Sequence, residues 1–211
     1  MFSFFKKNSP SPQYTDKVWK RSQYARKGML MMAMMKFQQG KPSIIISFFK
    51  SEMDELIADM HNYQLDYVLL NESTALDLIK PVIYFLHTDD IKKVSVSVFL
   101  KHNVTSFSNE VYSPSHYPIN NIESDLLNLL AADGYKKFTF CLSFEDPLLK
   151  MFASENLLPL LEKLGLEEEE AIEHAMVTQS IKRARQKLDD SITQEKKATS
   201  PKEWFELNVK R

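Results

Sequence analysis

The sequence predicts an α/β protein: an open, mostly parallel sheet with helices on both faces, followed by a helical C-terminal extension. Three observations carry that expectation. Between residues 44 and 142 short apolar runs alternate with helix-patterned stretches, the order that builds a parallel sheet with crossover helices. The clearest run, Ile44-Ile45-Ile46-Ser47-Phe48-Phe49, is continuously apolar, as in a strand covered on both faces. After Asp146 the pattern is helical almost to the end.

Residues 1–13 read as a basic, flexible leader, with Asn8, Ser9, Pro10, Ser11 and Pro12 together. A helix is expected from about Lys17 to Gln39. Gly40-Lys41-Pro42 then ends it, glycine at the stop and proline two residues on being helix terminators. Its centre, Met29-Leu30-Met31-Met32-Ala33-Met34-Met35, holds half of the ten methionines. Such a run is either a helix buried on most sides or an adaptable binding surface of polarizable side chains. Ile44–Phe49 is the first strand. Ser51 is placed to cap the next helix, with acids in the first turn where the helix dipole favours them. Met53, Leu56, Ile57 and Met60 keep helical spacing to about Asn62. Tyr67–Leu70 is a strand, Ser73–Ile79 a short helix, and Val82–Leu86 another strand. In Val94–Leu100 apolar residues alternate with serine, the pattern of a strand with one wetter face. Val104–Tyr112 is a candidate edge strand. Asn121–Ala132 is helical and Lys137–Leu142 is a further strand. Pro147–Phe152, Leu157–Leu164 and Ile172–Ile192 follow as helices, and Ser200-Pro201 caps a last amphipathic turn around Trp204, Phe205 and Leu207. The division expected is a leader over 1–13, an α/β domain over 14–152 and a helical extension over 153–211.

Composition narrows the function. The 211 residues, 44% apolar and 26% charged, have an ordinary globular balance. Lys and Arg total 27 against 28 Asp and Glu, which removes the simplest argument for a nucleic-acid binder. The charge is uneven, however. Residues 1–27 hold Lys6, Lys7, Lys17, Lys20, Arg21, Arg26 and Lys27 against Asp16 alone. Only Gly28, Gly40, Gly134 and Gly165 occur, too scattered for a glycine-rich phosphate cradle. The single cysteine, Cys141, can make neither an internal disulfide nor a cysteine-based zinc site, and reads as a buried hydrophobe or a reactive thiol. The five histidines form no HExxH and no same-face pair. His87-Thr88-Asp89-Asp90 follows a strand, where α/β sheets place active-site residues, and is equally an ordinary solvated loop. Ser143-Phe144-Glu145-Asp146 is accounted for by helix initiation. No cofactor, metal site or catalytic residue is expected. No apolar run reaches the ~18 residues that span a bilayer. The opening Met1–Phe5, followed by Lys6 and Lys7, reverses the order of a signal peptide, so the chain reads as soluble and cytoplasmic.

The order of motifs resembles the SecA family of bacterial preprotein translocase ATPases. Ser143-Phe144-Glu145-Asp146-Pro147-Leu148-Leu149-Lys150-Met151-Phe152 is similar to the SLEDDLMRxF segment that closes the family's second motor domain. Leu161–Leu166 resembles MERLGL, Ile172–Val177 resembles IEHKMV, and Ile181–Leu188 resembles the IxxAQKKVE that starts the long scaffold helix. Upstream, Asp16–Lys20 is similar to DLVYKT, Gly40–Pro42 to KGQPVLVGT, Lys50–Leu56 to IEKSELL, and Val68–Asn71 to NVLNA. The likeness runs over about residues 14–192 and implies a RecA-like, helicase C-terminal-like motor domain plus the start of the helical scaffold.

The departures are functional. The first motor domain, with its phosphate loop and magnesium-binding Asp-Glu pair, has no counterpart in these residues. Where the family has ATNMAGRGTDI, this sequence has Tyr84-Phe85-Leu86-His87-Thr88-Asp89-Asp90-Ile91. The two arginines of GRxGRQGDPG, which stabilise charge on the transferring phosphate, fall on Asn128 and Ala131. Lys136 and Lys137 stand nearby, but lysine is not a forked, planar donor. The resemblance therefore implies a fold kept and an ATPase lost: a non-catalytic, SecA-like protein-interaction module linked to protein translocation. Its candidate partner-contact residues are Met31, Met32, Met35, His174, Met176, Trp204 and Phe205, with self-association through the C-terminal helices. Alternatives are a nucleotide-dependent accessory whose cleft a partner motor domain completes, and a nucleic-acid-binding adaptor.

Overall fold

The computed structural model describes residues 12–71, 82–152 and 167–209. Six strands form one sheet, all parallel, in the order β1-β6-β5-β2-β4-β3. The strands are β1 (Gln13–Trp19), β2 (Ile44–Ser47), β3 (Tyr67–Leu70), β4 (Ile83–His87), β5 (Glu110–Ser113) and β6 (Lys137–Ser143). The described helices are α1 (Ser22–Gln38), α2 (Lys50–Asn62), α3 (Val94–His102), α4 (Asn120–Ala132), α5 (Pro147–Phe152), α6 (Ala175–Ser191) and α7 (Pro201–Asn208).

Strand periodicity divides the core between two faces. Ile45, Ile83, Phe85, Tyr112 and Cys141 point to the side covered by α1 and α2, where they meet Met29, Leu30, Ala33, Met53, Leu56 and Met60. Their neighbours Ile44, Ile46, Tyr84, Leu86, Val111, Phe138, Phe140 and Leu142 point the other way. There they meet α3, α4 and α5, together with Val177, Ile181, Ala184 and Leu188 of α6 and Trp204 and Phe205 of α7. The C-terminal helices thus share the core of the sheet's second face.

The structure corrects several expectations. Residues 13–19 form a strand, not the start of a helix, and pair with β6 over seven positions from Gln13↔Lys137 to Trp19↔Ser143. Asp16 and Val18 of this strand are fully buried, and a buried aspartate is what hides its apolar face from a sequence reading. Val94–His102 is a helix, not a strand. The same letters satisfy both periods, and Val96, Phe99 and Leu100 are buried at i, i+3 and i+4 while Val98 is 46% exposed. The strand expected over Val104–Tyr112 is confined to β5, which lies inside the sheet between β6 and β2 rather than at an edge. The long C-terminal helix begins at Ala175; Ile172 instead makes an antiparallel bridge with Val18, their backbones exchanging N–H···O bonds of 2.8 and 2.9 Å. Ser51 does not cap α2, whose flanking residue is Phe49; its N–H donates to the Thr199 carbonyl at 3.0 Å, pinning the segment before α7 to α2. The helices expected over 73–79 and 157–164 lie outside the described residues.

Other signals are realised as read. Gly40 ends α1 with φ +80°, a conformation that favours glycine. Ser200 Oγ accepts the Glu203 N–H at 3.1 Å and so caps α7. The methionine run divides between core and surface: Met29, Leu30 and Ala33 are buried, whereas Met31 and Met35 are 55% and 58% exposed.

Candidate functional site

Because all six strands are parallel, their carboxyl ends share one crest, where open α/β sheets hold ligands. Serine ends three of them: Ser47 on β2, Ser113 on β5 and Ser143 on β6. Each short hydroxyl folds back onto the turn that follows. Ser113 Oγ donates to the Ser115 carbonyl at 2.8 Å, and Ser47 Oγ accepts the Phe49 N–H at 3.2 Å. Above this crest opens a cavity of about 1280 Å³, walled by the first turns of α1, α2 and α5 and, on the far side, by α7 and Val209.

Helix N-termini attract anions. At α1 the protein's own carboxylate takes that seat. Glu145 accepts the Ser22 N–H at the start of α1 at 2.9 Å, which holds its carboxyl below the ordinary range. Asp146, immediately before α5, accepts the Ser143 N–H at 2.7 Å and faces the Ser143 hydroxyl at 3.1 Å. Ser143 Oγ in turn lies 2.9 Å from Ser22 Oγ. Glu203 does the same in α7, accepting the Thr199 N–H at 2.7 Å.

Two acids sit deeper. Burial pushes Glu52 up to about 8, with the charges of Asp146 and Glu55 adding to the rise against its contact with the Ser47 hydroxyl. Ser47 Oγ lies 3.2 Å from Glu52 Oε2. Burial likewise pushes Asp146 up to about 7, beyond the opposing pull of its Ser143 hydrogen bonds. Around the cavity five acids (Glu52, Glu55, Glu145, Asp146, Glu206) face three bases (Arg26, Lys150, Lys202). Cys141 lies below, buried, and desolvation raises its thiol far above the ordinary value, which leaves the reduced, unreactive form.

A second polar cluster fastens α6 to the sheet. His116, between β5 and α4, stacks on Phe140 with ring centroids 3.8 Å apart. Its Nε2 is 2.9 Å from Asp16 Oδ1 and its Nδ1 is 2.9 Å from Glu123 Oε2. Arg185 of α6 reaches the same Glu123 at 2.8 Å, and its Nε donates to the Tyr117 carbonyl at 3.0 Å. All four charged side chains are buried. Burial alone would lower the His116 pKa, but the Glu123 charge and the bonds to both carboxylates raise it. Burial alone would raise Asp16, but its hydrogen bond to His116 and that ring's charge bring it below the ordinary value. Two positive and two negative groups therefore balance in the interior, the condition under which buried charges are tolerated.

The residues expected to contact a partner separate into two sets. Met31 and Met35 are exposed on α1 and Met32 is half-buried. Met176 is 58% exposed at the start of α6, beside the exposed His174, whose Nδ1 accepts the Met176 N–H at 3.1 Å. These two groups belong to helices packed on opposite faces of the sheet. Trp204 and Phe205, by contrast, are core residues, 0% and 6% exposed, and Trp204 Nε1 donates to Glu195 at 2.6 Å. Trp204 presents no contact surface, and Phe205 reaches the surface only in the lining of the crest cavity. The basic residues of the first 27 positions also meet the acids that precede α6: Lys17 pairs with Glu173 at 2.8 Å, Arg21 with Glu168 at 3.1 Å and Lys27 with Glu169 at 3.0 Å. Neither the crest carboxyls nor the His116 cluster was singled out from sequence. A serine at the end of successive apolar runs was the available signal for the crest.

The described residues define an open α/β protein whose crest cavity is lined by more acidic than basic side chains, where Glu145 meets the N-terminus of α1, and in which no group of three or more potential metal ligands converges. Within that class the chain carries a SecA-like segment. It is 43% identical over 51 residues to the protein translocase subunit SecA of Thermus thermophilus, a match covering 24% of this chain and 5% of that protein. It is 45% identical over 58 residues to SecA of Rubrobacter xylanophilus (28% and 6%), and 50% identical over 50 residues to SecA of Acidithiobacillus ferrooxidans (24% and 6%). The matches thus span only 5% to 6% of the length of these curated relatives. No family model matches the chain. Among the described residues no helix is long and apolar enough to cross a membrane.

Proposed function

We propose that this chain is a SecA-like protein-interaction module serving protein translocation, and that it does not itself hydrolyse nucleotide. The six strands supply the sheet and its crest, and the described C-terminal residues, 167–209, buttress one face. The observation that carries the reading is the chemistry of the crest. A nucleotide phosphate needs backbone N–H donors at helix N-termini and cationic side chains around it. At this crest the Ser22 N–H at the head of α1 is spent on Glu145, and the three bases stand among five acidic side chains. Phosphate would find no excess of cationic donors here, where a working motor domain provides one. What stays outward is methionine, on α1 and at the head of α6, a side chain suited to adaptable protein contact.

Two measurements test this. Calorimetric titration with magnesium-ATP and magnesium-ADP up to millimolar concentration is expected to give no saturable heat; micromolar binding overturns the non-catalytic reading. A photocrosslinking residue at Met31 or Met176, read in cells by mass spectrometry, is expected to capture translocation components or their client chains. Capture confined to unrelated machinery overturns the translocation role.

A further inference from the structure

The His116 side chain is wholly buried between β5 and α4, stacked on Phe140 and edge-on to Tyr14. Both ring nitrogens face carboxylate oxygens. Nε2 lies 2.9 Å from Asp16 Oδ1, and Nδ1 lies 2.9 Å from Glu123 Oε2 and 3.0 Å from Oε1. Glu123 also accepts the Tyr117 N–H at 2.9 Å and pairs with Arg185 at 2.8 Å, so both of its oxygens act as acceptors. An ionised carboxylate only accepts hydrogen bonds, and each ring contact therefore needs an N–H. A ring with two N–H groups is a cation. A neutral ring would set a lone pair against one carboxylate in a place closed to water, leaving a buried charge uncompensated.

The cluster joins elements far apart in the chain: Asp16 on β1, Glu123 on α4 and Arg185 on α6. Arg185 Nη1 meets Glu123 and stands 3.3 Å from His116 Nδ1, and its Nε donates to the Tyr117 carbonyl at 3.0 Å. Its Nη2 has no hydrogen-bond partner among the described residues, so no further bond of this side chain holds α6. The helix is otherwise held by Asp189, which accepts the Asn120 N–H at 2.9 Å, and by the apolar stripe Val177, Ile181, Ala184 and Leu188. We infer that His116 is a proton-operated clasp on α6. With the ring charged, two positive and two negative groups balance and the helix stays seated. With the ring neutral the balance fails, and α6 opens as a unit from a sheet that remains folded. Opening uncovers the apolar stripe, with exposed Met176 at its head, as a surface that the closed form withholds. The inference goes beyond the proposed function and stands apart from any role in translocation.

The surroundings set the direction. Facing the ring are Tyr14 and Asp16 from β1, Glu123 from α4 and Arg185 from α6. Asp146, ahead of α5, lines the same small space as His116, together with Phe205 of α7. Tyr14 is a neutral phenol whose ionisation burial pushes up. The carboxyls favour the ring's proton and the guanidinium opposes it. Burial also opposes it, yet the Glu123 charge and the bonds to both carboxylates raise His116 above its ordinary 6.5. A group raised in this way contributes stability that is whole below 6.5 and is lost as pH climbs through the folded value. The clasp therefore opens on the alkaline side.

Hydrogen exchange of the full chain tests this, read by mass spectrometry from about pH 6 to 9 and corrected for the intrinsic rate. Protection over residues 176–188 is expected to fall at least tenfold more than protection of Ile44–Ser47 and Ile83–His87. Equal loss in α6 and in these strands is global unfolding and overturns the clasp, as does unchanged protection of α6. Nitrogen NMR of the histidine-labelled protein is expected to show both His116 ring nitrogens protonated near neutral pH, the ring losing a proton in step with α6 opening. A ring already neutral at about pH 6.5 sinks the inference. His116→Gln should hold α6 at one low level of protection throughout; if that variant does not fold, the ring titration and exchange of the parent protein decide. Asp146 and Glu52 titrate at about 7 and about 8, in the same range. Asp146→Asn and Glu52→Gln are expected to keep the alkaline opening, and its disappearance in either variant assigns the proton to the crest and overturns the role of His116.

Discussion

Replacing Glu52 with glutamine changes how the protein responds to alkali. In the folded chain this carboxyl titrates at about 8 against an ordinary value of 4.5. Between those values the folded protein holds a proton that the unfolded chain has released. The favourable contribution of the neutral acid is whole below about pH 4.5 and is lost as pH rises toward 8. At ~1.4 kcal/mol per pH unit the full span corresponds to roughly 5 kcal/mol, an upper bound for a carboxyl sealed from water. The cavity is open, so about 2–3 kcal/mol is the expected loss by pH 8.5. Glutamine cannot ionise. Glu52→Gln should match the parent within about 0.5 kcal/mol near pH 4.5 and exceed it by about 2–3 kcal/mol at pH 8.5. Urea unfolding followed by the fluorescence of buried Trp19 and Trp204 reads this directly, with the slope unchanged and only the midpoint moving. Parallel stability curves for the two proteins from pH 4.5 to 8.5 would refute the reasoning.

Arg185→Met strips one cation from the buried cluster and leaves Asp16 and Glu123 with His116 alone. A loss of about 3–5 kcal/mol in urea unfolding is expected, much of it regained in the double variant with Glu123→Gln, and strictly additive losses would contradict the coupling. The same cluster sets two pH limits. Stabilisation from the raised His116 is present below its ordinary value of 6.5 and lost as pH climbs through the folded value, and that from the lowered Asp16 is present above 3.8 and lost as pH falls through its folded value. His116→Gln should therefore abolish the first of these losses, measured as the melting temperature across pH. Gly28→Ala places a methyl group 2.4 Å from Cζ2 of Trp19, so the indole must shift and loosen its 3.1 Å bond to the Glu169 carbonyl. A cost of about 1–3 kcal/mol and a changed Trp fluorescence maximum are expected, and an unchanged spectrum would deny the contact. Met31→Ser with Met35→Ser should leave stability within about 0.5 kcal/mol while reducing partner crosslinking.

How much of this fold could be read in advance followed from where its signals lie along the chain. Ile44–Ser47, Ile83–His87 and Lys137–Ser143 are legible because their residues are buried on both faces and apolar almost throughout. β1 is not, because Asp16 on its buried side is neutralised by His116, 100 residues away in the chain, and no local window contains both. α3 is illegible for the opposite reason. Its valine and serine letters fit two periods equally, and only the tertiary partners Tyr84 and Phe107 around Phe99 decide for the helix. The crest carboxyls hide behind a sufficient local explanation, since acids in a helix's first turn need no other cause. What the sequence could not reveal is that Glu52 and Asp146 line one cavity, together with residues of a helix that begins only at Pro201.

That helix also decides where a partner can reach. Trp204 is wholly buried, and its indole and the Tyr117 hydroxyl both bind Glu195, so α7 is held from inside rather than docked by its surface. The N-terminal basic residues and the 167–173 acids are joined in pairs across β1 and α1, exposed contacts that contribute little stability each but cancel the charge either segment would show a partner. Both segments are thereby spent on holding the C-terminal part of the chain against the sheet. Exposed methionines remain at Met31 and Met35 on α1 and at Met176 on α6, helices packed against opposite faces of the sheet. A partner that used both the crest cavity and α1 would have to lie along Arg26, which lines the cavity from α1 itself. Loss of binding on Arg26→Glu with Glu52 intact would place the partner on that path, whereas loss only with Met176→Ser would place it across the sheet on α6.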